Sequence, residues 1–172
     1  MMNILVLNGS PRPGSNTAAL VAAFRKGAEE AGHSVSTYDV ARKTIHGCVA
    51  CEYCHIKGSG QCFQEDDMAP IAEAIKVCDM LVLASPIYYF SLSAQLQAAI
   101  QRCYCFDTPD HLQQMALLLS SASRDVYDDA KGQYLNRCRY WGAQDRGIIT
   151  AYDTEGKSDA KLQEVYRFAK SL

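Results

Sequence analysis

Three stretches of the chain carry side chains whose types and spacing could do chemistry. The first is Cys48-x-x-Cys51-x-x-Cys54, followed after seven residues by Cys62. Four thiols within fifteen positions, punctuated by Gly47, Gly58 and Gly60, could surround one metal centre in a loop. Three cysteines at two-residue spacing suit an iron-sulfur ligand run better than a zinc ribbon, which divides its ligands into two separated pairs. Spacing constrains a metal without identifying it, so a cluster, zinc and metal-free thiols all remain readings of this loop. His46 and His55 flank the cysteines as candidate extra ligands, although single histidines more often sit at a surface. Cys78, Cys103, Cys105 and Cys138 read as packing residues, because a free cysteine behaves as a small hydrophobe.

The second stretch is Gly9-Ser10-Pro11-Arg12-Pro13-Gly14-Ser15-Asn16-Thr17. It follows the apolar run Ile4-Leu5-Val6-Leu7 and precedes Ala18-Ala19-Leu20-Val21-Ala22-Ala23-Phe24, whose composition and spacing predict a helix. A helix start offers free backbone N–H groups and the positive end of its dipole, so an anion is stabilised there without a dedicated lysine. The hydroxyls of Ser10, Ser15 and Thr17, the amide of Asn16 and the guanidinium of Arg12 could complete a cage for one terminal phosphate. The plainer alternative is an ordinary loop in which Ser15 or Asn16 caps the helix. The loop lacks both the Gly-Lys-Ser/Thr ending of a P-loop and the Gly-x-Gly-x-x-Gly of a dinucleotide fold, so a mononucleotide fits best.

The third stretch, Ser85-Pro86-Ile87-Tyr88-Tyr89-Phe90-Ser91, puts three consecutive aromatics in a connection expected at the surface. A flat amphipathic ring system would account for them, with Pro86 holding nearby peptide groups in place. Packing under the next helix or in a subunit interface would account for them as well.

These stretches must be positioned by an alternation of strands and helices. Ile4–Leu7, Met80–Ala84 and Met115–Leu119 read as buried strands, Gly147–Tyr152 reads as the last strand, and Ser34–Val40 alternates as a strand nearer the sheet edge. Helices are predicted over Ala18–Ala31, Met68–Val77, Leu92–Cys103, Asp125–Tyr140 and Ser158–Lys170, with Gly32 and Gly142 as stops and Asp66-Asp67 as a cap. Five such alternations imply a doubly wound α/β sheet of flavodoxin-like order 2-1-3-4-5, carrying a cysteine-rich insertion after its second strand. In that order the loops at Ser10, Pro86 and Ser121-Ala122 leave the carboxyl ends of neighbouring strands and converge on one crevice.

Composition narrows the field. The chain has 172 residues, 48% of them hydrophobic, and a formal net charge of −2, which gives no electrostatic case for nucleic acid or an anionic membrane. One domain over residues 1–172 is expected. The N-terminus lacks a signal-peptide pattern, and no apolar run approaches the roughly 20 residues that span a bilayer. A cytoplasmic setting is therefore expected, where eight cysteines point to metal or redox chemistry more than to disulfides.

The combination of Gly9-Ser10-Pro11-Arg12, Ser15-Asn16-Thr17, the cysteine run, Asp66-Asp67-Met68 and Ser85-Pro86-Ile87-Tyr88 resembles the NADPH-dependent FMN reductase family, in particular its iron-sulfur-flavoprotein-like branch. The resemblance covers residues 2 to 103. It implies FMN held at its phosphate by Ser10, Arg12, Ser15, Asn16 and Thr17, and at its ring by Pro86, Ile87, Tyr88, Tyr89 and Phe90. It also implies homodimers or homotetramers. Where relatives carry Lys and Asp in the helix after the aromatic stretch, this chain has Gln97 and Gln101. The implied activity is transfer of electrons from NADH or NADPH through FMN to a quinone, nitro, flavin or protein acceptor, with no side-chain catalyst. The alternative is an electron carrier in which Cys48, Cys51, Cys54 and Cys62 hold a [4Fe–4S] cluster that exchanges single electrons with ferredoxin-like partners. A metal or redox sensor without flavin is a third reading.

Overall fold

Apolar runs too short for a buried helix, and too apolar to face water on either side, have one stable use: as parallel strands covered by helices on both faces. In a computed structural model, which describes residues 1–172, these strands are β1 (Asn3–Asn8), β3 (Met80–Tyr88) and β4 (Gln114–Ser121). The less buried β2 (Ser34–Tyr38) and β5 (Gln144–Tyr152) flank them. The order is β2-β1-β3-β4-β5, all parallel. The flavodoxin-like order read from the sequence therefore holds, with one addition. A two-residue strand, Ser91–Leu92, turns back antiparallel on the end of β3.

Five helices alternate with the strands: α1 (Asn16–Glu30), α2 (Met68–Val77), α3 (Ala94–Arg102), α4 (Asp128–Trp141) and α5 (Asp159–Lys170). Ser15, Ser93 and Ser158 cap three of them by accepting from the amides of Ala18, Leu96 and Lys161. Gly32 and Gly142, at φ +89 and +66, stop α1 and α4 as expected. α4 begins at Asp128 rather than Asp125, because Asp125 sits at φ 57 and cannot be part of a helix. α3 begins at Ala94 rather than Leu92, since Leu92 belongs to the short returning strand.

The sheet separates two cores. One, with α2, α3 and α4, gathers Leu5, Leu7, Ile71, Ile75, Leu81, Leu83, Leu96, Leu117, Tyr134 and Trp141. The other, with α1 and α5, gathers Ile4, Val6, Leu20, Phe24, Val82, Leu118, Val165 and Ala169. Alternate residues of each strand thus serve opposite faces. Cys78 and Cys103 lie in the first core, where burial pushes their thiols up to about 12, so they remain protonated fillers.

α1 and α5 approach closely at Gly27, where a Cβ would run into the Tyr166 carbonyl oxygen and lie 3.1 Å from the Ala169 Cβ. Alanine is the better helix former by about 1 kcal/mol. Overpacking against rigid backbone outweighs that, so Gly27→Ala should destabilise the protein by about 1–3 kcal/mol. The measurement is the urea unfolding midpoint, and a higher midpoint in the variant would refute the packing argument.

Candidate functional site

The loop after β1 is pressed against the start of α3. The Gly9 amide donates to the Ala84 carbonyl at 2.8 Å, and a Cβ on Gly9 would sit 2.5 Å from Ser93 Oγ, so only glycine fits. Next to it Ser10 is 3% exposed, and its buried Oγ has no hydrogen-bond partner. A buried hydroxyl left orphaned costs about 1–3 kcal/mol unless a ligand or water completes it. Ser15 Oγ accepts from the Ala18 amide at 3.1 Å, which leaves its own proton free for another acceptor. The amides of Asn16 and Thr17, in the first turn of α1, have no carbonyl partner. Arg12 lies exposed at the rim and forms no ion pair. Hydroxyl, guanidinium and free amides together suit a phosphate.

Two members of the expected cage have other work for their side chains. Thr17 is fully buried, with Oγ1 2.7 Å from Ser120 Oγ, and so ties α1 to β4. Asn16 Nδ2 donates to the Asp153 carbonyl at 2.5 Å and ties α1 to the turn after β5. Both residues can still meet an anion through the backbone.

The aromatic stretch is not the loop that the sequence suggested. β3 continues through Ser85, Pro86, Ile87 and Tyr88, then reverses at Tyr89 and Phe90 into Ser91–Leu92. The cause is pairing on both sides: Ser85 and Pro86 stay in register with Leu119 and Ser120 of β4, while Ile87 and Tyr88 pair with Leu92 and Ser91. Ser85 Oγ donates to the Pro86 carbonyl at 2.7 Å and accepts from the Ser93 amide at 2.9 Å, which locks the base of the hairpin. Both turn residues are left-handed, at φ 48 and 70, as a tight hairpin of this hand demands.

These parts enclose a cavity of about 520 Å³ lined by Arg12, Asn16, Pro86, Ile87, Tyr88, Ser121 and Ala122, all expected, together with Ser120 and Asp153. Tyr89 and Phe90 stand at the hairpin tip outside its lining, Tyr89 94% exposed. Ser10, Ser15 and Thr17 lie in or beside the loop without lining the cavity. No local pattern marks Asp153, whose place depends on a short 3-10 helix, Asp153–Lys157, packing against Asn16.

The cysteine loop is anchored from below. At its base the Thr44 and His46 amides donate to Asp67 Oδ2 and Asp66 Oδ2 at 2.8 and 3.0 Å, and the Asp67 amide returns to the Thr44 carbonyl. Asp66 Oδ1, rather than Asp67, accepts from the Met68 amide at the start of α2. Arg102, from the end of α3, reaches the His46 and Gln64 carbonyls and pairs with Asp66 at 2.6 Å, both side chains 2% exposed. Burial alone would raise the Asp66 carboxyl, but its bonds from Arg102, His46 and Met68 hold it below the ordinary aspartate range. Higher up, His55 Nε2 lies 2.9 Å from the Tyr104 carbonyl and Tyr104 donates its hydroxyl to Glu52, so His55 braces the loop through Nε2.

Cys48 and Cys51 are exposed, Cys62 is half-buried and Cys54 is buried. No three Cys, His, Asp or Glu side chains lie close enough to share one metal ion. Yet Cys48 and Cys62 are near enough to raise the Cys54 thiol further, after the larger effect of burial. Cys105, read from the sequence as packing, is buried and also faces this group, feeling both Cys54 and Cys62.

With this geometry in view, comparisons place the chain. A family model described as NADPH-dependent FMN reductase matches residues 2–148. The chain is 34% identical over 101 residues to an iron-sulfur flavoprotein of Archaeoglobus fulgidus, covering 59% of this chain and 45% of the relative. An iron-sulfur flavoprotein of Methanocaldococcus jannaschii is 34% identical over 101 residues, 59% of this chain and 51% of the relative. The chain thus spans about half the length of the curated relatives it matches. Among solved structures, RosB with a bound 8-demethyl-8-formylriboflavin-5'-phosphate superposes with a TM-score of 0.81 at 18% identity, over 99% of this chain and 77% of that one. An NAD(P)H:quinone oxidoreductase from Methanothermobacter marburgensis gives 0.70 at 18% identity, over 99% and 95%. An azoreductase from Bacillus anthracis gives 0.76 at 15% identity, over 100% of both chains. These likenesses show a shared flavodoxin-like fold.

The anchor under the cysteine loop has a pH signature. A carboxyl held below its ordinary value contributes stability above the unfolded pKa of about 3.9 and loses it as the pH falls through the lower folded value. Asp66→Asn, which leaves Arg102 buried without a counter-charge, should cost about 3 kcal/mol at neutral pH. The gap from wild type should close in acid. Urea midpoints across pH measure it, and a gap that stays constant or widens in acid would sink the ion-pair account.

Proposed function

The chain belongs to the NADPH-dependent FMN reductase family, and from that premise we propose that it binds FMN in the cavity between the loops after β1, β3 and β4. There it passes electrons from NADH or NADPH to a quinone, nitro, free flavin or protein acceptor. The observation that carries this reading is the orphaned Ser10 hydroxyl beside the unpaired first-turn amides of α1, at the edge of a roughly 520 Å³ cavity walled by Pro86, Ile87 and Tyr88. The residues present fit a phosphate carried on a flat ring.

When bound, FMN supplies the centre that accepts and returns hydride equivalents, so no acid, base or nucleophile is required of the protein. The chain's tasks are grip and orientation. Ser10, Ser15, Arg12 and the α1 amides would hold the phosphate. Pro86 to Tyr88 would present an extended wall to the ring, and the Ser120 to Ala122 backbone would close the other side. The exposed rings of Tyr88, Tyr89 and Phe90 support assembly of a homodimer or homotetramer at the same edge. No helix is long and apolar enough to cross a membrane. The eight free thiols support a reducing, cytoplasmic setting.

A second reading adds an iron-sulfur cluster on Cys48, Cys51, Cys54 and Cys62, making the protein an electron carrier toward ferredoxin-like partners. The name of the archaeal relatives favours it over zinc. Such a cluster would add a one-electron centre beside FMN. Hydride exchange between NAD(P)H and FMN needs none of these thiols.

Anaerobic protein mixed rapidly with NADPH or NADH should lose the visible flavin band; reduction by ferredoxin alone would favour the carrier instead. Ser15→Ala combined with Asn16→Ala should lower FMN content more than Cys51→Ala does, and equal content in the two variants would count against the phosphate site. For the second reading, anaerobic preparations should contain iron and acid-labile sulfide that Cys54→Ala abolishes. Flavin without either would exclude the cluster.

A further inference from the structure

A second cavity, of about 250 Å³, lies between the end of α3 and the end of α4 and shares no lining residue with the flavin site. Tyr104, Tyr140 and Trp141 give it three aromatic walls, while Arg137 and Asp107 bring one side chain of each charge to its lining. Trp141 is fixed, since its Nε1 donates to the Asp107 carbonyl at 2.8 Å in a residue held at φ 54. Onto this plate Arg137 stacks, its guanidinium 5.2 Å from the ring centroid, and it too lines the cavity. Such stacking satisfies the flat face of a guanidinium and leaves its edge donors pointing outward.

What sets Arg137 apart is a half-buried guanidinium on an aromatic plate that no carboxylate pairs, Asp107 included, although it lines the same cavity. It forms none of the protein's five ion pairs. Burial draws its pKa below the ordinary value, and the charges opposing that come only from the thiols of Cys103 and Cys138. Burial pushes both of those thiols up, so they stay neutral and provide no anion. Tyr104 turns its hydroxyl away to Glu52 and offers its ring, while Tyr140, 71% exposed, forms the rim.

We propose that this cavity is a binding site for a small aromatic anion, its acid group bridged by the Arg137 guanidinium and its ring set against Trp141 and Tyr140. A planar carboxylate meets the forked donors of arginine in two parallel bonds, and a cavity of this size admits one ring with its acid group. The site stands apart from the flavin cavity, so its occupant is an effector or a second ligand rather than the group that FMN reduces.

The chain's single tryptophan reports on it directly. The protein as purified is titrated with benzoate while indole fluorescence is followed, with benzamide as the uncharged counterpart. Benzoate should change the emission saturably and benzamide should not. Arg137→Gln should weaken benzoate binding about tenfold or more, the loss expected when a charge-assisted bond is removed. Equal titration by benzamide, or unchanged benzoate affinity in Arg137→Gln, would overturn the proposal. If that variant does not fold, Tyr140→Ala at the exposed rim decides: a several-fold loss of benzoate affinity supports the site, and none refutes it. The readout does not depend on flavin, so failure here leaves the FMN reading standing and the reverse also holds.

Discussion

Parallel strands buried on both faces must all deliver their carboxyl ends to one edge of the sheet, and the cavity between the loops after β1, β3 and β4 follows from that. Leu7, Leu83 and Leu117 stand side by side across β1, β3 and β4, and one residue on, Asn8, Ala84 and Leu118 do the same. β1 stops there. β3 and β4 run on, and the part of β3 beyond Ala84 becomes a wall above the loop that leads into α1. The unpaired amides of a helix start and an extended aromatic strand are thus brought to one space by the sheet's topology alone. The sheet does the assembling, and the loops contribute chemistry.

The two faces of the sheet have different duties. Beneath α1 and α5 the packing is tight enough that Gly27 admits no side chain, and Glu30 accepts from Tyr166 to fasten the same pair of helices at the surface. The opposite face carries the cysteine loop and the Arg137 cavity, and Arg102 with Asp66 supplies a buried polar anchor for the loop among apolar helices. A loop whose large apolar side chains, Val49, Tyr53, Ile56 and Phe63, stay exposed cannot hold its shape by burial. Carbonyls drawn onto one guanidinium, backed by a carboxylate, give it a fixed base at the cost of desolvating two charges.

Much of this was legible in the sequence. Strand runs such as Met80–Ala84 and Met115–Leu119 have one stable use, and the stops at Gly32 and Gly142 obey local backbone rules, so they read correctly without tertiary information. What escaped depended on contacts distant in sequence. Arg102 stands at the end of an amphipathic helix, and nothing near it in sequence signals a partner 36 positions away in Asp66. Asp153 enters the cavity only because its turn packs on Asn16. Thr17 was legible as a hydroxyl near a helix start, but its direction toward Ser120 is a property of the helix–sheet contact. The hairpin failed for another reason: Pro86 and a run of aromatics lack the Asn-Gly that normally announces a tight turn.

That missing signal carries meaning. Two bulky residues in the left-handed region cost on the order of 1–3 kcal/mol each, and Tyr89 with Phe90 accept that cost where Asn-Gly would avoid it. Their rings meet edge to face at a centroid distance of 5.7 Å, which recovers only part of it, and Tyr89 is almost wholly in solvent. The turn is held instead from its base, where Ser85 grips Pro86 and Ser93 and where β4 keeps pairing as far as Ser120. A turn serving only to reverse the chain would have no reason to keep large apolar rings in strained, exposed positions. One that offers those rings to a flat ligand or to a second copy of the chain does, because contact then supplies the burial that the isolated turn lacks.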